Sequence, residues 1–133
     1  MTLLALVKDP DLPGQLTNIS LEDCLYIETN KRVILYHHKN GKTYSSVSML
    51  ADLMESDFIK EMTFARMDNS NFVNLSKVKA FDSHEGCVFF ESNPDNYSKR
   101  ANIAQKNFSK MRQELEQGKL QLNTRETNST NVT

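Results

Sequence analysis

The sequence predicts a mainly β domain of antiparallel strands with one short internal helix and one C-terminal helix. Short runs of β-branched and aromatic residues recur at close spacing between breaks rich in Asn, Asp, Ser and Gly, which is the pattern of a strand-rich domain. An Asn40-Gly41 pair separates two such runs, as in a β-hairpin. Apolar residues at three- and four-residue spacing mark the two helices, over residues 47–54 and 104–115.

Size and composition agree with this class. At 133 residues the chain supports one domain with a modest core, and its 38% hydrophobic and 25% charged residues are ordinary for a soluble globular protein. The longest apolar run near the start, residues 3–7, is too short for a secretory signal or a membrane span, which places the chain in the cytoplasm. Cys24 and Cys87 each stand in an apolar, strand-like run and read as buried free thiols. Triplets such as Asn128-Ser129-Thr130 would accept glycans only in a secreted protein.

In chain order, residues 1–17 hold two prolines and a glycine with little periodicity, and read as an extended lead-in to a domain over residues 18–117. Residues 21–28 read as a turn followed by a strand, and residues 33–38 as a second strand. Asn40-Gly41 then forms a two-residue turn, since both residue types tolerate positive φ, and residues 42–47 return as the partner strand. Ser46 or Ser48 caps the short helix, in which Val47, Leu50, Leu53 and Met54 share one face and which ends near Ser56-Asp57. Strands follow at residues 63–67, 71–75 and 77–81. The turn at 82–86 leads to a strand at 87–91, and residues 92–96 are the next break. The terminal helix starts near Arg100, places Ala104, Phe108, Met111 and Leu115 on one face as a core stripe, and stops before Gly118. Residues 118–133, rich in Asn, Thr and Ser, read as a disordered polar tail.

Catalytic chemistry has no foothold. The sequence holds no glycine-rich phosphate loop, no His-Glu-x-x-His and no Gly-x-Ser-x-Gly. His37 and His38 are neighbours on a strand and point to opposite faces, so they do not share a metal site. The carboxylate pairs Glu22-Asp23 and Glu114/Glu116 read as solvated charge. Neither an enzymatic role nor a cofactor or metal is expected.

Base-reading chemistry does have one. Residues 64–75, FARMDNSNFVNL, combine an arginine with Asn69-Ser70, and Tyr97-Ser98-Lys99-Arg100 adds two cations. An asparagine amide pairs bidentately with adenine in the major groove and an arginine guanidinium with guanine. The net charge of -1 weighs against nucleic acid, but its distribution is uneven. Lys99, Arg100, Lys106, Lys110 and Arg112 fall in a stretch without an acid, whereas acids concentrate in residues 9–28 and 52–61. Cations at a helix start oppose the helix dipole, which hints at a purpose beyond folding.

Taken together, Leu21-Glu22-Asp23-x-Leu25-Tyr26-Ile27-Glu28, the Asn-Gly hairpin, the Leu50/Leu53 helix, Phe64-x-Arg66-x-x-Asn69-Ser70-x-x-Val73-Asn74 and Ser98-Lys99-Arg100 resemble the LytTR-type DNA-binding domain of bacterial transcription regulators. The likeness extends over about residues 18–112, and the Asn69-Ser70 pair brings it nearest to the DNA-binding half of a staphylococcal response regulator. The resemblance implies small antiparallel sheets stacked into an elongated β sandwich, with loops entering successive major grooves. It implies double-stranded DNA with repeated half-sites as the partner, and the further partner is either a second copy on DNA, as a homodimer, or a regulatory protein. It also implies base contacts from Lys31-Arg32, Asn69 and Arg100, with Ser70, Ser98 and Lys99 placed for phosphate. Two departures accompany it. Asp68-Asn69 stands where many members have a histidine, often followed by a basic residue, and an aspartate repels phosphate unless it accepts from cytosine N4. Many members also carry a receiver domain, for which 133 residues leave no room. The expected function is a sequence-specific transcription regulator. The alternative is a protein-interaction module on the same fold that antagonises a related regulator without reading DNA.

Overall fold

The computed structural model describes residues 4–30, 32–47 and 64–116. The expected internal helix, the polar tail and Lys31 lie outside the described residues. The chain divides into two compact units, residues 1–65 with 70–74 and residues 66–69 with 75–133. The described part is strand-rich and antiparallel with a C-terminal helix, as the sequence predicts.

The first sheet contains β1 (Leu4–Lys8), β2 (Leu16–Ser20), β3 (Cys24–Asn30), β4 (Val33–His38), β5 (Thr43–Val47), β6 (Phe64–Asp68) and β7 (Asn71–Asn74), in the order β2-β1-β5-β4-β3-β7-β6. Its register places Ile27 opposite both Tyr36 and Phe72, and Tyr36 opposite Tyr44. Cross-strand neighbours share a face, so these side chains join Val7, Ile19, Leu21, Cys24, Ile34 and Phe64 in one buried cluster. Each large aliphatic side chain enclosed there contributes roughly 1.5–3 kcal/mol by leaving water. The register shifts between Cys24 and Tyr26. Beside that shift the buried Asn74 amide donates to the carbonyls of Cys24 (3.0 Å) and Glu22 (3.3 Å), so Asn74 pins the start of β3.

In the first sheet, two details differ from the expectation. Residues 4–8 are extended, but they are more than a lead-in: they pair antiparallel with residues 16–20, with Val7 and Ile19 buried and Leu4, Leu6 and Leu16 exposed. The hairpin between β4 and β5 has three loop residues rather than two. His38 N–H donates to Lys42 O and Gly41 N–H to His38 O, and Gly41 has φ +93°. This is the three-residue loop that ends in a left-handed glycine. Asn40 stabilises it from its side chain, accepting from Lys42 N–H (2.9 Å) and donating to the Tyr44 hydroxyl (3.1 Å).

The second unit holds β8 (Ala80–Asp82), β9 (Cys87–Phe89) and β10 (Arg100–Asn102) in a three-stranded antiparallel sheet of order β10-β9-β8. The expected strand at 77–81 begins only at Ala80, because Leu75–Lys77 form a 3-10 turn. The helix, α1 (Phe108–Glu116), starts eight residues after Arg100, which lies on β10. The intervening backbone bonds sideways: Ile103 N–H donates to Gly86 O (2.8 Å) and Ala104 N–H to Met67 O (2.7 Å). Those donors are thereby withdrawn from any helical ladder. Phe108 meets Phe81 edge to face with centroids 5.4 Å apart, and Met111 is buried, so these two residues of the stripe pack in the core.

Candidate nucleic-acid interface

The sequence between β6 and β7 is too short for anything but a turn, and its polar side chains decide the shape. Arg66 reaches back over the turn, with Nη2 donating to Asn69 O (3.1 Å) and Nε to Asp68 O (3.4 Å). Asp68 Oδ1 accepts from Asn69 N–H at 2.8 Å. Arg66, through two of its five N–H donors, and Asp68 are therefore tied to backbone groups of the turn. The Asn69 side chain is left exposed, with no hydrogen bond among the described residues. Asp68, the departure that threatened phosphate binding, acts here as a turn acceptor. Ser70 is half-buried, and its carbonyl accepts from Thr29 N–H at 2.9 Å.

The loop before β10 is built on Asp95. Its Oδ1 accepts from Tyr97 N–H (2.8 Å) and from the Ser98 hydroxyl (3.3 Å), while Ser98 Oγ accepts from Asp95 N–H (2.9 Å). The Asp95 carbonyl takes Ser98 N–H (3.3 Å) and Arg100 Nη2 (3.2 Å). Asp and Ser three residues apart lock a turn in this way because each side chain reaches the other's backbone. Ser98 thus directs its only hydroxyl proton inward. Lys99 is half-buried, and Tyr97 projects into solvent.

Arg100 is positioned from three sides. Its Nη1 meets Glu85 Oε2 at 3.1 Å, its Nη2 meets the Asp95 carbonyl, and its Cζ lies 4.8 Å from the centroid of the cross-strand Phe89 ring. Glu85 is itself held, because the buried Asp82 accepts from His84 N–H and Glu85 N–H (2.9 and 3.2 Å) and Gly86 turns the chain at φ +66°. A guanidinium carries five N–H donors. Glu85 and Asp95 occupy two, which leaves three for a ligand. Farther along the same unit Lys106, Lys110 and Arg112 are exposed. Arg32 is exposed in the β3–β4 turn of the first unit.

Other chemistry is accounted for locally. Buried His37 bonds Glu28 Oε1 through Nε2 at 2.8 Å and stacks on Tyr26 with centroids 4.0 Å apart. Both cysteines are buried free thiols. Among the described residues no three His, Cys, Asp or Glu side chains converge on a metal position, and no helix is long and apolar enough to cross a membrane.

The model of the LytTr DNA-binding domain family matches residues 14–116, most of the chain. The chain belongs to the LytTR family. A solved LytTr DNA-binding domain, from a protein described as a methyl-accepting/DNA response regulator of Bacillus cereus, superposes with a TM-score of 0.61 at 16% identity, covering 84% of this chain and 95% of that one. That likeness supports the fold. No curated protein matches the chain. LytTR is a family of DNA-binding domains, not of enzymes, and membership supports a DNA-binding regulator. In this LytTR chain, the sequence named Asn69 and Arg100 through the resemblance, and it read Arg66 as base-reading chemistry where the structure places it over the turn. It missed Asp95 under the loop and Glu85 beside Arg100. The Asp-x-x-Ser spacing of residues 95–98 was the one available signal, a side-chain-closed turn immediately before two cations.

Proposed function

We propose that this LytTR protein is a sequence-specific transcription regulator that reads the major grooves of double-stranded DNA through loops. The observation that carries it is Arg100, held by Glu85, Asp95 and Phe89 with three N–H donors left over. A guanidinium fixed in this way meets guanine O6 and N7 with little ordering cost. Asn69 supplies the second base contact from its exposed amide, and Lys31-Arg32 the third. Ser70, Ser98 and Lys99 serve the phosphates, Ser98 chiefly by fixing its loop. Residues 18–117 carry the reading residues, and the strand of residues 4–8 completes the sheet that supports them. The target is a duplex with repeated half-sites occupied by two copies, and the protein works in the cytoplasm. Removing the Arg100 side chain should cost roughly 1–3 kcal/mol of binding and relax preference at one base pair. A titration of Arg100→Ala against single-base variants of the bound site checks this; unchanged affinity and preference would refute the assignment.

A second reading is favoured by the acids at the same surface. Glu85 pairs with Arg100, and Asp68 stands beside Asn69. On this reading the chain keeps the fold, pairs with a related regulator and blocks it. Co-purification with such a regulator, together with no binding to any duplex at low salt, would favour it.

A further inference from the structure

We propose that Tyr97 is a backbone-contacting residue of the DNA interface, its ring packing on a deoxyribose and its hydroxyl donating to a phosphate oxygen. The inference rests on the DNA-binding reading above and names a contact which that reading does not include.

Of the four tyrosines, Tyr26, Tyr36 and Tyr44 are buried. Two of these also spend their hydroxyls, Tyr36 on Ser46 at 2.9 Å and Tyr44 on Asn40 at 3.1 Å. Tyr97 is 96% exposed. Its ring therefore gives nothing to the core, and leaving so much apolar surface in water forgoes the stabilisation that burial gives the others. The loop does not need the side chain either. Asp95 and Ser98 close the turn through their own side chains and main-chain groups, and Tyr97 contributes only its N–H. The result is a rigid mount for a free aromatic ring.

Such a mount suits binding. A tyrosine has two side-chain torsions to fix, and here the backbone under it is already ordered, so contact costs little entropy. Its place in the chain selects the ligand. Lys99 and Arg100 follow directly, and Arg100 is tied to the same Asp95 carbonyl that closes the turn. The acid nearest in sequence, Asp95, has Oδ1 committed to Tyr97 N–H and the Ser98 hydroxyl. If Arg100 lies in a groove, a side chain three residues earlier on the same fixed loop meets the sugar-phosphate wall. Phosphate and sugar contacts hold register without reading sequence. A phenol is uncharged, so its contact adds affinity without releasing a counterion.

The test is a salt series of duplex binding with the full chain, its Tyr97→Phe, Tyr97→Ala and Arg100→Ala variants, and thermal melts of each. Tyr97→Phe should weaken binding about tenfold, the worth of one hydrogen bond to a charged acceptor. Tyr97→Ala should weaken it further. Both should keep the parent's salt slope, base preference and melting temperature. Unchanged affinity in Tyr97→Ala, while Arg100→Ala loses affinity, would overturn this inference and leave the DNA-binding reading standing. A parent chain that binds no duplex at any salt would remove both, and Tyr97 would then belong to a protein contact.

Discussion

Arg100 illustrates how a single side chain is held for the role proposed for it. Its charge is offset by Glu85, its plane is set by Phe89 and its direction by the Asp95 carbonyl. Glu85 is the ambiguous partner, because a carboxylate that orients the guanidinium also repels phosphate. Glu85→Gln keeps an oxygen acceptor for Nη1 and removes the charge. Duplex affinity should rise by about 1 kcal/mol or less at low salt, the scale of an exposed ion pair, and the gain should shrink as salt screens it. Fluorescence anisotropy at two salt concentrations checks both parts. Asn69 and Arg100 were named in the sequence through the family resemblance, on amide and guanidinium chemistry that their residue types can supply. Glu85 was not, since its pairing is a tertiary contact between the turn before β9 and strand β10, across 15 residues of sequence. Ser98 was legible as a polar residue near the cations, but its hydroxyl closes the turn, a role visible only once Asp95 is seen beneath it.

The elements show where periodicity serves and where it misleads. Asn40-Gly41 marked a hairpin correctly, because only glycine adopts positive φ at no steric cost, yet the pair did not reveal that the loop has three residues. A Cβ at Gly41 would meet nothing within 4 Å, so substitution there tests backbone conformation alone. Gly41→Ala should destabilise the fold by roughly 1–2 kcal/mol, the cost of a left-handed conformation for an L-residue, read from the urea midpoint. The apolar spacing of Ala104, Phe108 and Met111 continued backward past the true helix start. Ala104 belongs to an extended segment because its N–H is taken by Met67 O, a tertiary bond that no local pattern announces. The β1–β2 hairpin was hidden for a similar reason, its alternation being brief and followed by two prolines. That hairpin's loop is tied to the β4–β5 turn, with Lys42 Nζ at 3.1 Å from Asp11 and 3.2 Å from Asp9. Asp9 sits below its ordinary 3.8, first because Asp11 N–H bonds its carboxylate and then because Lys42 is adjacent. A lowered carboxylate pKa means that this link stabilises the fold above pH 3.8 and is lost as pH falls through the lowered value. Lys42→Met should therefore move the Asp9 carboxyl titration upward, followed by its carboxyl carbon shift in NMR.

At the scale of the whole molecule, charge is the property most easily misread. A net charge of -1 argues against nucleic acid only if charge is uniform, whereas Lys106, Lys110 and Arg112 are exposed along one stretch of the second unit. The mainly β class was legible because strand residues and turn residues alternate at short intervals throughout. The division into more than one sheet came through the family resemblance and not from the pattern of the residues, since it depends on which strands pair. A regulator that holds DNA through a few cations and reads it through Asn69 and Arg100 has two signatures, a salt-dependent affinity and a defined sequence preference. The most direct test is to select the chain's bound fraction from randomised duplex DNA across a salt series and sequence it. The account predicts an enriched pair of spaced repeats whose affinity falls steeply as salt rises. Bound DNA with no sequence enrichment, or none retained even at low salt, would contradict it.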